Sequence, residues 1–342
     1  MQSFTAGVKN FHDVRRLKPT AKQVAHAASV SVAAVSRAFN PGASIDAEKR
    51  KRILAVAGEI GYLSPARRTA EAIAAGTVTL VAGDLLNPFY PMVLDALAKQ
   101  LQAGGRQLLV YALPADTNVD SATAQILAAR PSAIIVTSAY LTSRMARACR
   151  QHQIKVVLLN RVQRDIHLNA VACDNYQGGR DVGQLLLERG WRKIGFVGGI
   201  ANTSTHAERA RGFRDALAEG GIAIHAQAPG NFNYHDAYIA GLALLSAANA
   251  PDAIFCCNDI MALAVLDAAK ERNLRIPDDL AVVGFDDIPM ASWNSYRLTT
   301  VRQPVERMVQ EALNLIDDPR IKPSDDGVIR MLSGKLITRS TT

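Results

Sequence analysis

Apolar positions follow two regimes along the 342-residue chain. Between Thr20 and Ile60 they recur three and four residues apart, the spacing of one helix face. Val24, Ala25 and Ala28 stripe a first short helix that Thr20 caps and Ser29 ends. Ser31 caps a second, in which Val32, Val35 and Phe39 recur at helical spacing. A third runs from a capping Asp46 to Ile60, with Ile53, Leu54, Val56, Ala57 and Ile60 as its buried stripe. Gly61 stops it, and Tyr62 closes the small core. Two short helices joined by a tight turn form a helix-turn-helix pattern.

Beyond residue 76 the pattern changes to continuous apolar runs separated by helical stretches. The runs predict strands at 79–83, 107–113, 133–138, 156–160, 193–199, 253–258 and 280–286. Helices such as 91–103, 177–189, 206–219 and 260–272 lie between them. Strands apolar at every position belong to parallel sheets covered on both faces. The number of units predicts two doubly wound parallel-sheet subdomains, with a cleft at the carboxyl ends of the strands.

Charge divides the chain at the same place. Residues 1–76 hold twelve basic and five acidic side chains, and the other 266 residues are close to neutral. A basic helical block ahead of a neutral α/β block points to a polyanion partner for the first. The bland alternative is a helical bundle end with a solvated charged face. Cys149, Cys173, Cys256 and Cys257 show no paired spacing, as expected of reduced thiols in a reducing compartment. The chain opens without a signal-peptide core and contains no apolar run of membrane-spanning length, which predicts a soluble, cytoplasmic protein.

The run TAKQVAHAASVSVAAVSRAFN from Thr20, followed by IDAEKRKRILAVAGEIGY, resembles the DNA-binding headpiece of the lac repressor (LacI) family of transcription regulators. The resemblance continues in family order through Asn87-Pro88-Phe89-Tyr90, Asn160-Arg161, Asp174-Asn175, Arg209 before Gly212-Phe213, Asn258-Asp259, PDDLAVVGFDD and LTTVRQP. It implies four segments: an extension of residues 1–19, a helix-turn-helix domain of 20–62, a linker or hinge helix of 63–76, and an effector-binding and dimerisation domain of 77–342 with a periplasmic-binding-protein-like fold. Val32 and Ala33 occupy the positions that set operator choice. Arg37 suits a bidentate contact to guanine, while Lys22, Ser31, Ser36 and Asn40 suit phosphate or sugar. Thr20 and Ala34 complete the DNA-facing set, Ala34 standing where the family often carries a hydroxyl. In the linker, Ile73 matches the side chain that the family inserts into the minor groove; a plain interdomain linker is the alternative.

In the second block, Asn258 and Asp286 follow apolar strands, where side chains turn into the crevice, and Arg209 sits in the first turn of a helix after a strand. An acid, an amide and a guanidinium converging there suit a polyhydroxylated ligand or one bearing an acid group. Phe89, Tyr90 and Phe232 offer flat faces for a ring. By resemblance Thr205, Arg209, Asn258 and Asp286 contact the effector, with Arg161 and Asp259 at the cleft edge. Phe89 also reads as helix-start packing, Asp259 as a helix cap, and Asp287 as the residue that orders the following turn. His206 and His235 read as ordinary polar residues.

No HExxH, P-loop or GxSxG is present, and Gly178-Gly179 lacks dinucleotide-motif spacing. No catalytic activity, cofactor or metal is expected. The expected protein is a repressor that binds a pseudo-palindromic DNA operator as a homodimer and answers to a sugar or related metabolite. A solute-binding protein of a transport system is the alternative; the basic headpiece distinguishes the two.

Overall fold

The computed structural model describes residues 19–40, 42–64, 76–113, 119–137, 140–163, 166–323 and 326–342. The hinge position Ile73, most of the 63–76 linker and nearly all of the 1–19 extension lie outside the described residues. The chain divides into two compact units, Met1–Ile73 and Ala74–Thr342.

In the first unit three helices, α1 (Ala21–Ala27), α2 (Val32–Ala38) and α3 (Ala47–Glu59), enclose a core of Val24, Ala25, Ala28, Ala34, Val35, Ala38, Ile53, Ala57 and Tyr62. Each expected cap forms. Thr20 and Gln23 make a reciprocal capping box, Ser31 accepts from the amide of Ala34, and Asp46 accepts from that of Lys49. The expected break falls at Ser29, whose φ of 50° lies in the left-handed region. Tyr62 closes the core with its ring edge-on to Phe39 at 5.6 Å. Two positions differ from the expected stripe: Val32 and Leu54 are exposed, at 44% and 41%. Each of the three described helices buries one stripe of side chains in this small core, and those two residues fall just outside it.

The second unit contains two six-stranded sheets. The first has strand order β11-β5-β4-β3-β1-β2, drawn from β1 (Thr77–Ala82), β2 (Gln107–Ala112), β3 (Ala133–Thr137), β4 (Lys155–Leu159), β5 (Asn169–Cys173) and β11 (Ile329–Leu332). Its helices are α4 (Phe89–Ala103), α5 (Val119–Ala128) and α6 (Ser143–Gln151). The second sheet has order β12-β10-β9-β8-β6-β7, from β6 (Ile194–Gly198), β7 (Ala226–Pro229), β8 (Ala253–Cys256), β9 (Ala281–Asp286), β10 (Thr299–Arg302) and β12 (Lys335–Ile337). Helices α7 (Asn175–Glu188), α8 (Ser204–Glu219), α9 (Tyr234–Ser246) and α10 (Asp259–Glu271) accompany it. All pairings are parallel except β10 with β12. The seven predicted strands form within a residue or two of their expected ends. The five others are short or lie at or near an edge, where apolar runs are brief or interrupted.

The chain passes between the sheets three times: after β5, after β10 and after β11. On the second passage, α11 (Val305–Asp317) leaves the second sheet and packs on the first. Lys155 Nζ there donates to the carbonyls of Ile316 and Asp318, and Arg106 pairs with Asp317 at 2.8 Å. Helices α7 and α8 touch backbone to backbone. A Cβ on Gly179 would meet the Arg209 carbonyl at 2.2 Å, and one on Gly212 the Tyr176 carbonyl at 1.9 Å. This close approach sets Arg209 beneath the cleft. Among the described residues no helix is long and apolar enough to cross a membrane, and no cluster of His, Cys, Asp or Glu suits a metal ion.

Candidate functional site

The headpiece offers one face for recognition. On α2, Val32, Ala33, Ser36 and Arg37 are exposed while Val35 and Ala38 turn inward, as the 3.6-residue period requires. Lys22 and Asn40 are also exposed. Thr20 and Ser31 spend their hydroxyl oxygens on caps. Ala34 corrects the expected set: its methyl is 3% exposed inside the core, and its amide is bonded to Ser31. Placed one turn from Ala38 on the inward stripe, it has no side chain to offer DNA.

In the second unit the carboxyl ends of both sheets line a cavity of about 460 Å³, a volume within the usual range for small-molecule sites. Phe89, Tyr90 and Arg161 reach it from the first sheet, and Thr205, Arg209, Phe232, Asn258 and Asp286 from the second. Eight of the nine expected cleft residues therefore meet in one place.

Arg209 anchors the floor. It lies in the second turn of α8, one turn later than expected, because the helix starts at Ser204. Its guanidinium is 2% exposed; Nε donates to Asn175 Oδ1 at 2.8 Å and Nη1 to the Cys257 carbonyl at 2.6 Å. Nη2 stands 3.4 Å from Asp286 Oδ1, and the group lies 3.7 Å over the Phe285 ring. Asp286 Oδ1 also accepts from Gln303 Nε2 at 2.7 Å. Burial pushes the Asp286 carboxyl above the ordinary range, and the neighbouring Arg209 charge opposes that shift. Asp286 and Asp287 both hold positive φ, at 125° and 58°, strained for side chains of any size. Two ion pairs retain the second: Asp287 accepts from Arg302 at 2.6 Å and from Arg339 at 2.7 Å.

The floor is thus a neutralised pair with polar atoms to spare. Among the described residues, Asn160 Oδ1 and Asn258 Nδ2 are buried without a hydrogen-bond partner, one an acceptor and one a donor. Unmet buried polar atoms facing a cavity are what a hydroxyl-bearing ligand satisfies. Asn258 also caps α10 through its Oδ1. Tyr90, its hydroxyl pKa raised by burial, receives a long 3.5 Å contact from Asn160 Nδ2.

Asp259 corrects the other expectation. It is fully buried behind the cleft wall, accepting from the Ile288 amide at 2.8 Å and the Thr300 hydroxyl at 2.5 Å. The helix cap is Asn258, and Asp259 ties the start of α10 to β10 and the loop after β9. His206 accepts the Gly199 amide on Nδ1 at 3.0 Å, and burial lowers its pKa. Sequence reasoning left Asp84, Asn160 and Asn231 out of the site, though all three line the cavity. Asp84 and Asn160 closely follow β1 and β4, so the rule that picked Asn258 and Asp286 also reaches them. Asn231 carried no such signal, since its left-handed backbone is a product of the fold.

Residues 20–64 match the family model of bacterial regulatory proteins, lacI family, and residues 184–342 match a periplasmic binding protein-like domain. The chain is 29% identical over 303 residues to the HTH-type transcriptional regulator DegA of Bacillus subtilis (strain 168), spanning 86% of this chain and 89% of that protein. It is 27% identical to the HTH-type transcriptional repressor CytR of Escherichia coli (strain K12), spanning 94% and 96%. Among solved structures it is similar to a transcriptional regulator CelR-cellobiose complex, with a TM-score of 0.71 and 26% identity over 95% of this chain and 100% of that one. A lac repressor dimer bound to operator and the anti-inducer ONPF has a TM-score of 0.70 at 23% identity, over 95% and 99%, a likeness of fold.

Proposed function

The chain belongs to the LacI family of bacterial regulatory proteins, and on that footing we propose that it is a repressor that binds a pseudo-palindromic operator as a homodimer in the cytoplasm. One observation carries the reading: a basic helix-turn-helix unit with a cationic, solvent-facing α2 precedes an α/β unit holding a ligand-sized cleft with unmet polar atoms on its floor.

Arg37 is the residue we assign to base readout, with Val32 and Ala33 against thymine methyls and Ser36, Lys22, Asn40, Thr20 and Ser31 toward the backbone. Two headpieces related by a twofold axis address two half-sites of matching symmetry. In the cleft we assign the effector to Arg209, Asn258, Asp286 and Thr205, with Phe232, Phe89 and Tyr90 as ring-stacking faces and Arg161 at the rim. Because Arg209 is already balanced by Asp286, the floor favours a neutral, hydroxyl-rich molecule such as a sugar over a free anion. One solved neighbour, at 26% identity, is a complex with cellobiose, which supports this choice. Effector binding shifts the relative orientation of the two subdomains and thereby operator affinity. No catalytic role is assigned to any residue.

The test is capture of genomic DNA fragments by the purified protein, beside a version lacking residues 1–76. A small set of palindromic fragments held only by the full chain is expected. Equal capture by both, or none with candidate metabolites added, contradicts the reading.

A further inference from the structure

The helix α3 carries four consecutive cations, Lys49, Arg50, Lys51 and Arg52. Successive helical residues point about 100° apart, so the four cannot share a face. Lys49, Lys51 and Arg52 are exposed; Arg50 is half-buried and turned toward the segment that leaves the recognition helix. Its Nη2 has two N–H groups, and two backbone carbonyls receive them: Asn40 at 3.1 Å and Ala43 at 2.9 Å. Those carbonyls sit just beyond α2, whose own C-terminal carbonyls of Val35 and Arg37 take the Phe39 and Asn40 amides. The same segment is tightened from its other side, since Asn40 Oδ1 accepts the Gly42 amide at 3.1 Å. The Arg50 Nε is buried without a hydrogen-bond partner among the described residues, so the side chain is held by this one fork.

We propose that Arg50 is a positioning residue for operator recognition: it clamps the exit of α2 to α3 and so sets the angle at which Val32, Ala33 and Arg37 are presented to base edges. This rests on the regulator reading above. Arg37 depends on such support because its own side chain is exposed and, among the described residues, hydrogen-bonds only from Nε to the Ala33 carbonyl within the helix, at 3.3 Å. Misdirecting a recognition helix by a small angle removes base contacts, while flexible lysines and arginines still find phosphates. A clamp and a phosphate contact therefore leave different signatures.

The experiment measures affinity of the full chain for a captured operator and for a scrambled duplex, across a salt series, in the wild type, Arg50→Met and Arg50→Lys. Met keeps the apolar stem; Lys keeps the charge without the planar fork. The expected result is that both variants lose about tenfold or more of operator affinity. Scrambled-duplex affinity and the slope of log affinity against log salt should stay unchanged, and the headpiece should keep its melting transition. A slope lower by about 0.9, with preference for operator intact, would mark Arg50 as a phosphate contact and overturn the proposal. Unchanged binding overturns it too, as does full rescue by Lys, which would make charge alone the requirement. Should Arg50→Met fail to fold, the preference of Arg50→Lys decides. A wild type that prefers no fragment defeats the regulator reading itself, an outcome distinct from a preference that Arg50 does not influence.

Discussion

A buried carboxyl holds its proton when leaving water costs more than its partners return, and Asp259 is such a group: burial, reinforced by the nearby Asp286, drives its pKa upward. A carboxyl with a raised folded pKa binds its proton more tightly in the native state than in the unfolded chain. Its contribution therefore favours folding increasingly as pH falls toward the ordinary carboxylate range, and turns unfavourable as pH rises. Asp259→Asn can retain the bond from Ile288 and turn its amide to Thr300. We expect the melting temperature of the wild type, relative to that variant, to rise steadily between about pH 8 and pH 5; a relative fall contradicts the assignment. Asp286 faces the cavity and has a different consequence. Asp286→Asn should leave operator affinity near wild type and weaken by at least about tenfold the binding of any small molecule that raises the wild-type melting temperature. Thermal-shift titration of both proteins checks this, and an undiminished shift excludes Asp286 from the effector site. Asp286 was legible from its place after an apolar run. Asp259, one residue beyond an equally clear signal, turns away from the cavity because a single helical step of about 100° separates cavity from core.

At the scale of elements, the α7–α8 contact is decided by two glycines lying against each other's backbones. Gly179→Ala or Gly212→Ala must force the helices apart, since the obstructing atoms are carbonyls that cannot rotate away. A destabilisation of about 3 kcal/mol, at the upper end of overpacking, is expected from chemical denaturation, with loss of effector binding because Arg209 shifts with its helix. A variant as stable as the wild type would contradict that packing. In the headpiece, Arg37→Ala removes the cation from the exposed face of α2 without touching the core. Operator preference should fall to the non-specific level while salt-sensitive binding to any duplex persists, measured by competition between specific and scrambled DNA. The caps and stripes of α1 to α3 were readable locally, because hydroxyl and carboxylate caps act within four residues. Leu54 was not: its exposure depends on how far α3 is rolled against its neighbours.

For the whole molecule, the separation into two compact units predicts independence. A fragment of residues 76–342 should melt cooperatively, keep effector-induced stabilisation and lose operator binding, by calorimetry and DNA-binding assay. Loss of its cooperative transition would mean that the headpiece is needed for the core to fold. Three passages of the chain between the two sheets, with α11 following β10 yet packed on the first sheet, make each sheet's edge depend on distant sequence. The two sheets close one cavity together, so any molecule held there would touch both subdomains at once.

The sequence by itself determined what depends on short range: helix caps, the break at Ser29, the seven strands written as continuous apolar runs, the concentration of positive charge in the first block, and the position of Asn258 and Asp286 at strand ends. These follow from hydrogen bonds and apolar periodicity within a few residues. The tertiary structure decided what depends on partners far along the chain. It turned Ala34 and Asp259 inward, spent Arg209 on Asn175, Cys257 and Asp286, brought Asp84, Asn160 and Asn231 to the cavity, and recruited β11 and β12 to different sheets. Burial and pairing are properties of neighbours in space, and no local pattern in the chain encodes which neighbours those are.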